Sequence, residues 1–157
     1  TPRDDWDVVV LDLNGLTGST TIKLMSFELK VNLDFANLRE AFFQTVSNSY
    51  WANESYLVSA NINKDFDFLD ELKRLSSAYG IGVIELDIED PDSSSILFSA
   101  ATRSELDWES INKLCSINGD FKSFIKTVAL ILKDKDKTLG RRNLLPYFDE
   151  IADFSHD

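Results

Sequence analysis

Residues 6–13, WDVVVLDL, are apolar and β-branched and read as a strand. The turn-rich NGLTGST (14–20) follows, with Asn-Gly as a hairpin signal. TIKLMSFELKV (21–31) is then a second strand, antiparallel to the first. In LDFANLREAFFQTVSNSY (33–50) the period changes: Leu38, Phe42 and Val46 fall at i, i+4 and i+8, the apolar stripe of a helix. Asp34 or Asn32 is placed to cap its start. SYLVSANI (55–62) predicts a third strand. KDFDFLDELKRLSSAY (64–79) predicts a second long helix with Phe68, Leu72 and Leu75 on one face, and Gly80 is placed to end it. IGVIELDI (81–88) is a fourth strand, DPDSSS a loop, and ILFSAA (96–101) a short fifth strand at an edge. The remainder reads as helices over 107–116, 119–133 and, after Gly140, 143–152.

Strands alternating with helices imply βαβ crossovers and parallel pairing, and the hairpin adds an antiparallel pair. The fold class expected is therefore α/β: a mixed central sheet flanked by helices, on both faces. Phe27, Leu29 and Val31 are expected to point into the core.

Composition narrows the setting. The 157 residues are one domain's worth. A single cysteine, Cys115, gives no disulfide framework and fits a reducing compartment. No apolar run approaches the ~20 residues of a membrane span and nothing resembles a signal peptide, so a cytoplasmic protein is expected. The chain opens TPRDDW, without Met, as a domain cut from a longer protein would. The net charge of −11 argues against nucleic-acid binding through bulk electrostatics. It leaves room for a metal-dependent nuclease, whose site must itself concentrate carboxylates. Arg141 and Arg142 form the one compact basic cluster, and the acidic residues after Asp149 read as a solvated tail.

One triplet, Glu-Leu-Lys, occurs twice, at 28–30 and at 71–73. In a strand, residues i and i+2 share a face, so Glu28 and Lys30 project together. In a helix the same spacing separates them by about 200°, so Glu71 and Lys73 cannot form one small site. A third acid can come from the preceding strand. Hairpin geometry brings its start, with Asp7, beside Glu28, while Asp12 falls near the turn. Asp7 and Glu28 would supply hard oxygen ligands for Mg²⁺, with Mn²⁺ as a substitute. Lys30 would orient or help deprotonate the attacking water and stabilise the transition state. Asn37, Ala41, Gln44 and Asn48 form a second helical stripe, from which Gln44 could turn back toward this strand; an exposed polar face is the simpler account.

Other residues carry less. Trp51 reads as a core plug, Asn53 as a loop residue satisfying backbone groups, and Glu54 as a group that could support the metal site. Glu85 and Asp87 read as strand-end charges, and Cys115 as a buried thiol beside Ile111 and Leu114. His156 is the only histidine, so no histidine-based triad or zinc cluster is available. Gly80-Ile81-Gly82 precedes a strand rather than a helix and is a weak phosphate loop.

Asp7, Glu28-Leu29-Lys30, Gln44 and SYLVSANI together resemble the PD-(D/E)xK nuclease superfamily, the restriction-endonuclease-like fold. Trp6 stands where that pattern usually has Pro. REAFFQTVSNSYWANESYLVSA, LSSAYGIGVIELD and LDWESINKLCSINGDFKSF resemble more closely the HrgA-type bacterial proteins associated with restriction–modification loci, over about residues 6 to 130. The resemblance implies a nuclease-like domain over 1–133, with a helical extension and acidic tail over 134–157. It also implies DNA as substrate, Asp7 and Glu28 as metal ligands, Lys30 and Gln44 as catalytic residues, and an N-terminal helix-turn-helix region that reads DNA. The competing expectation is a nuclease fold kept for DNA association or protein interaction without catalysis. A metabolic α/β enzyme would need a cofactor motif, and none is found. A symmetric homodimer is the commonest assembly of soluble proteins, and no interface for one is legible.

Overall fold

A computed structural model describes residues 6–12 and 23–135, with side chains over 23–130. Five strands, β1 (Trp6–Asp12), β2 (Lys23–Leu33), β3 (Glu54–Ile62), β4 (Gly82–Glu85) and β5 (Ser95–Phe98), form one sheet in the order β1-β2-β3-β4-β5. The β1–β2 and β4–β5 pairs are antiparallel, and β2–β3 and β3–β4 are parallel. Helices α1 (Leu38–Asn48) and α2 (Phe66–Tyr79) make the two crossovers that parallel pairing requires. The mixed α/β sheet follows the order of elements along the chain, with β5 at an edge.

Both crossovers step in the same direction across the sheet. Two steps of the same hand put their helices on one face, and one core records this. Leu38, Ala41 and Phe42 of α1 pack with Phe68, Leu72 and Leu75 of α2 over Leu57 of β3 and Val83 of β4. Within the unit that holds the sheet, the expectation of helices on both faces gives way to two helices on the same face.

This arrangement overturns the assignment of the β2 faces. Leu57 is the register partner of Glu28 and Val83 the partner of Leu57, so Glu28 lies on the helix-covered face. Glu28 is 3% exposed, whereas Val31 is 60% exposed and Phe27 and Leu29 are half-buried on the opposite face. Strand periodicity says which residues share a face, not which face a helix will cover.

The element ends differ from expectation where side chains intervene. Asn37, not Asp34 or Asn32, is the residue before α1. The Leu38 amide donates to the Asp34 carbonyl at 2.9 Å, while the Asp34 carboxylate takes the Ala36 amide at 2.8 Å. β4 stops at Glu85 because the Asp87 carboxylate accepts the Glu89 and Asp90 amides, each at 3.0 Å, and turns the chain. Gly80 ends α2 at φ 70, the left-handed position. At Gly82 a Cβ would lie 2.2 Å from the Tyr56 ring. Helix termination and ring packing therefore account for both glycines of Gly80-Ile81-Gly82.

Residues through Asp107 that carry the sheet, α1 and α2 form one compact unit; α3 (Trp108–Ile117) and α4 (Gly119–Lys135) belong to a second. These two helices pack on each other. The side-chain oxygen of Asn118 between them accepts the Asp120 and Phe121 amides, each at 3.0 Å, and so caps α4. Cys115 is partly accessible rather than buried. Arg141, Arg142, the 143–152 helix and His156 lie outside the described residues. Among the described residues, no helix is long and apolar enough to cross a membrane.

Candidate functional site

Alternation along β2 puts Ser26, Glu28 and Lys30 on the face that α1 covers, beside Ser55, Leu57 and Ser59 of β3. Helix α1 lies against β2 and β3. The result is a buried interface of two characters: apolar toward β4, polar toward β2. Buried polar groups need partners, and the hydroxyls here find them nearby. Ser26 Oγ donates to Ser55 Oγ at 2.6 Å, Thr45 to the Ala41 carbonyl at 2.9 Å, and Ser49 to the Val46 carbonyl at 2.7 Å.

Within this polar half, Lys30 Nζ lies 3.0 Å from Glu28 Oε1, and the lysine side chain is itself only 15% exposed. The contact is an ion pair by distance. In β1 the position directly opposite Glu28 is Asp7, and Asp12 stands opposite Lys23. Opposed residues of an antiparallel ladder have Cα atoms about 5 Å apart. The hairpin register therefore brings the Asp7 position, and not Asp12, beside the Glu28–Lys30 pair.

Gln44 lies on α1, the helix that covers β2, and its Oε1 is a buried oxygen that accepts no hydrogen bond among the described residues. The stripe it was assigned to is not a uniform polar face, because Ala41 is fully buried in the core. The second Glu-Leu-Lys copy behaves as helix geometry demands. Glu71 pairs with Arg74, through contacts of 2.8 and 2.6 Å, and not with Lys73.

Glu54 does not support the Glu28 site. Its register partner is Met25, so it lies on the opposite face of the sheet. There it accepts Lys23 and the Thr102 hydroxyl, each at 2.5 Å, and the Tyr56 hydroxyl at 3.3 Å. Burial pushes the Glu54 carboxyl up, but the hydrogen bonds from Lys23 and Thr102 and the Lys23 charge outweigh it and hold it below the usual carboxylate range. Burial, and then the Glu54 charge, push the Tyr56 hydroxyl up. Periodicity could not reveal this network, since Thr102 lies 48 residues from Glu54. Asn53 acts as a clamp beside it: its Oδ1 accepts the Leu24 amide at 2.8 Å and its Nδ2 donates to the Arg103 carbonyl at 2.9 Å. Arg103 in turn lies over the Tyr50 ring, 5.5 Å from its centre. Trp51 is buried.

Among the described residues no group of three or more His, Cys, Asp or Glu side chains is placed to hold a metal ion. Glu28, with the Asp7 position opposite, is the acidic pair that the register assembles. No family model, curated protein or solved structure matches this chain.

Proposed function

We propose that the chain is a restriction-endonuclease-like domain that hydrolyses DNA phosphodiesters with a divalent metal. One observation carries this reading: a buried carboxylate and an amine two residues apart on one strand, with an aspartate position directly opposite on its antiparallel neighbour. The donor chemistry fits Mg²⁺ or Mn²⁺, hard ions commonly bound through one or two carboxylates with water and phosphate completing the shell. A buried Gln44 oxygen with no hydrogen bond from the described residues agrees with a site that takes a further polar group.

Asp7 and Glu28 would hold the ion, which when bound supplies Lewis-acid polarisation of a phosphoryl oxygen and a more acidic water. Lys30 sets a positive charge where negative charge gathers on the phosphoryl oxygens, and it can orient the attacking water. Gln44 would donate through its amide to phosphate or accept from water. The cover of α1 keeps the local dielectric low and strengthens each of these interactions. With a net charge of −11, DNA affinity would come from the metal and from a separate DNA-reading segment, as the helix-turn-helix expectation has it.

The burial of Glu28 and its contact with Lys30 favour a second reading, in which the pair is a structural tie and the domain is a non-catalytic interaction module. The two are separated by following free Mn²⁺ by electron paramagnetic resonance during titration, then assaying nicking of supercoiled plasmid. The catalytic reading expects binding that Asp7→Asn or Glu28→Gln removes. It also expects cleavage that Lys30→Met abolishes while Mn²⁺ binding remains. A folded wild-type protein that neither binds Mn²⁺ nor cleaves would establish the non-catalytic module.

A further inference from the structure

At the carboxyl ends of β3 and β4, on the sheet face away from α1 and α2, two depressions of about 410 and 180 Å³ share Ala60, Leu86 and Ile88 and so form one groove. Leu29, Val58, Ala60 and Leu86 make an apolar floor in the smaller depression, while Asn61, Glu85, Asp87, Ser93 and Ser95 give the larger one a mainly polar lining. Ile88 and Val31 stand at its margin, 67% and 60% exposed. Large apolar side chains left this open beside a groove mark an interaction surface.

The loop that presents Ile88 is held in place. Leu86 N donates to the Ser59 carbonyl at 2.9 Å, Asp87 N to Ser94 Oγ at 2.9 Å, and Ser93 Oγ to the Asp90 carboxylate at 2.6 Å. Exposure of Ile88 is thus a fixed feature of this loop, and a partner would meet a preformed surface.

The loop along one side of the groove is acidic, whereas Lys30 lines its β2 side. From Glu85 to Ser95 the chain carries five carboxylates, at Glu85, Asp87, Glu89, Asp90 and Asp92, and no lysine or arginine. Lys64 answers one of them, reaching both Glu85 oxygens at 2.6 Å. Glu89, Asp90 and Asp92 are exposed. An apolar patch beside an acidic loop selects for a segment that carries apolar side chains between positive ones, and the loop repels the phosphate backbone.

We infer that this groove docks a basic amphipathic segment of a protein partner, rich in lysine or arginine and interleaved with branched apolar residues. Glu28 lies on the helix-covered face, while Lys30 also borders the groove, and the inference holds whether or not the domain cleaves DNA.

The test is fluorescence anisotropy on the whole chain, using a fluorescein-labelled lysine–leucine amphipathic peptide. Two further peptides replace every leucine with serine or every lysine with glutamate. Binding of the first peptide, weakened by salt and reduced roughly ten-fold or more by the double change Val31→Ser and Ile88→Ser, supports the inference. Both positions are exposed, and circular dichroism checks that the double variant stays folded. A single Asp92→Lys substitution on the acidic loop beside the groove weakens the same peptide in a second, independent reading. Failure of the lysine–leucine peptide to bind, equal binding of the serine or glutamate peptide, or unchanged affinity of the variants overturns it. Self-association in sedimentation that Ile88→Ser abolishes would also overturn it, by assigning the groove to a second copy of the chain.

Discussion

Lys30 Nζ lies 3.0 Å from Glu28 Oε1, two residues along the same strand, in a setting where the glutamate is only 3% exposed. A carboxylate this far from water draws stabilisation from the cation beside it, because burying an ion is costly and losing an opposite charge raises that cost. Lys30→Ala should therefore destabilise the fold by about 3 kcal/mol, read from urea unfolding. Glu28→Gln, which removes the buried charge itself, should cost less. If Lys30→Ala unfolds at the wild-type midpoint, Glu28 draws its stabilisation from elsewhere.

The contact of Gly82 with Tyr56 gives a sharper packing prediction. Any Cβ at 82 meets the Tyr56 ring at 2.2 Å, so Gly82→Ala should lower stability by about 3 kcal/mol. Tyr56→Val made in the same chain should recover part of that loss. A double-mutant cycle with no coupling between the two positions would show that the ring does not set the requirement for glycine.

Acid should loosen the opposite face of the sheet through Glu54. The folded carboxyl sits below its ordinary value near 4.5, whereas the unfolded one does not. Ionised Glu54 thus contributes stability that is full above the unfolded value and is lost as pH falls through the lower folded value. Urea midpoints measured from neutral pH down into this acidic window should fall less steeply for Glu54→Gln than for wild type. Parallel curves would remove Glu54 from the acid response.

Asn53 joins the start of β2 to Arg103 across the chain, through the Leu24 amide and the Arg103 carbonyl. Asn53→Ala should cost about 2 kcal/mol, since two backbone groups lose a partner. Hydrogen exchange at the Leu24 amide should speed up more than exchange in α2. Uniform acceleration across the sheet would indicate global destabilisation instead.

Local rules made much of this protein readable. Period-2 alternation identified Glu28 and Lys30 as same-face neighbours, and hairpin geometry chose Asp7 over Asp12; the register places Asp7 opposite Glu28 and Asp12 opposite Lys23. The 3.6-residue period located the core stripes of α1 and α2, and Gly80 marked the end of α2. These inferences succeeded because they depend on spacing within a few residues.

The sequence by itself thus determined the element order, the pairing of Glu28 with Lys30 on one face, and the strand end at which an acidic partner could stand. Only the tertiary structure decided that this face lies beneath α1 and buries its charges. Phe27, Leu29 and Val31 are more apolar, yet two same-handed crossovers brought both helices over the other side. The Glu54–Lys23–Thr102–Tyr56 network and the groove around Ile88 likewise exist only in the folded chain. The reason is physical: periodicity reports which side chains travel together, while the handedness of the connections and contacts between distant residues decide what they are buried against.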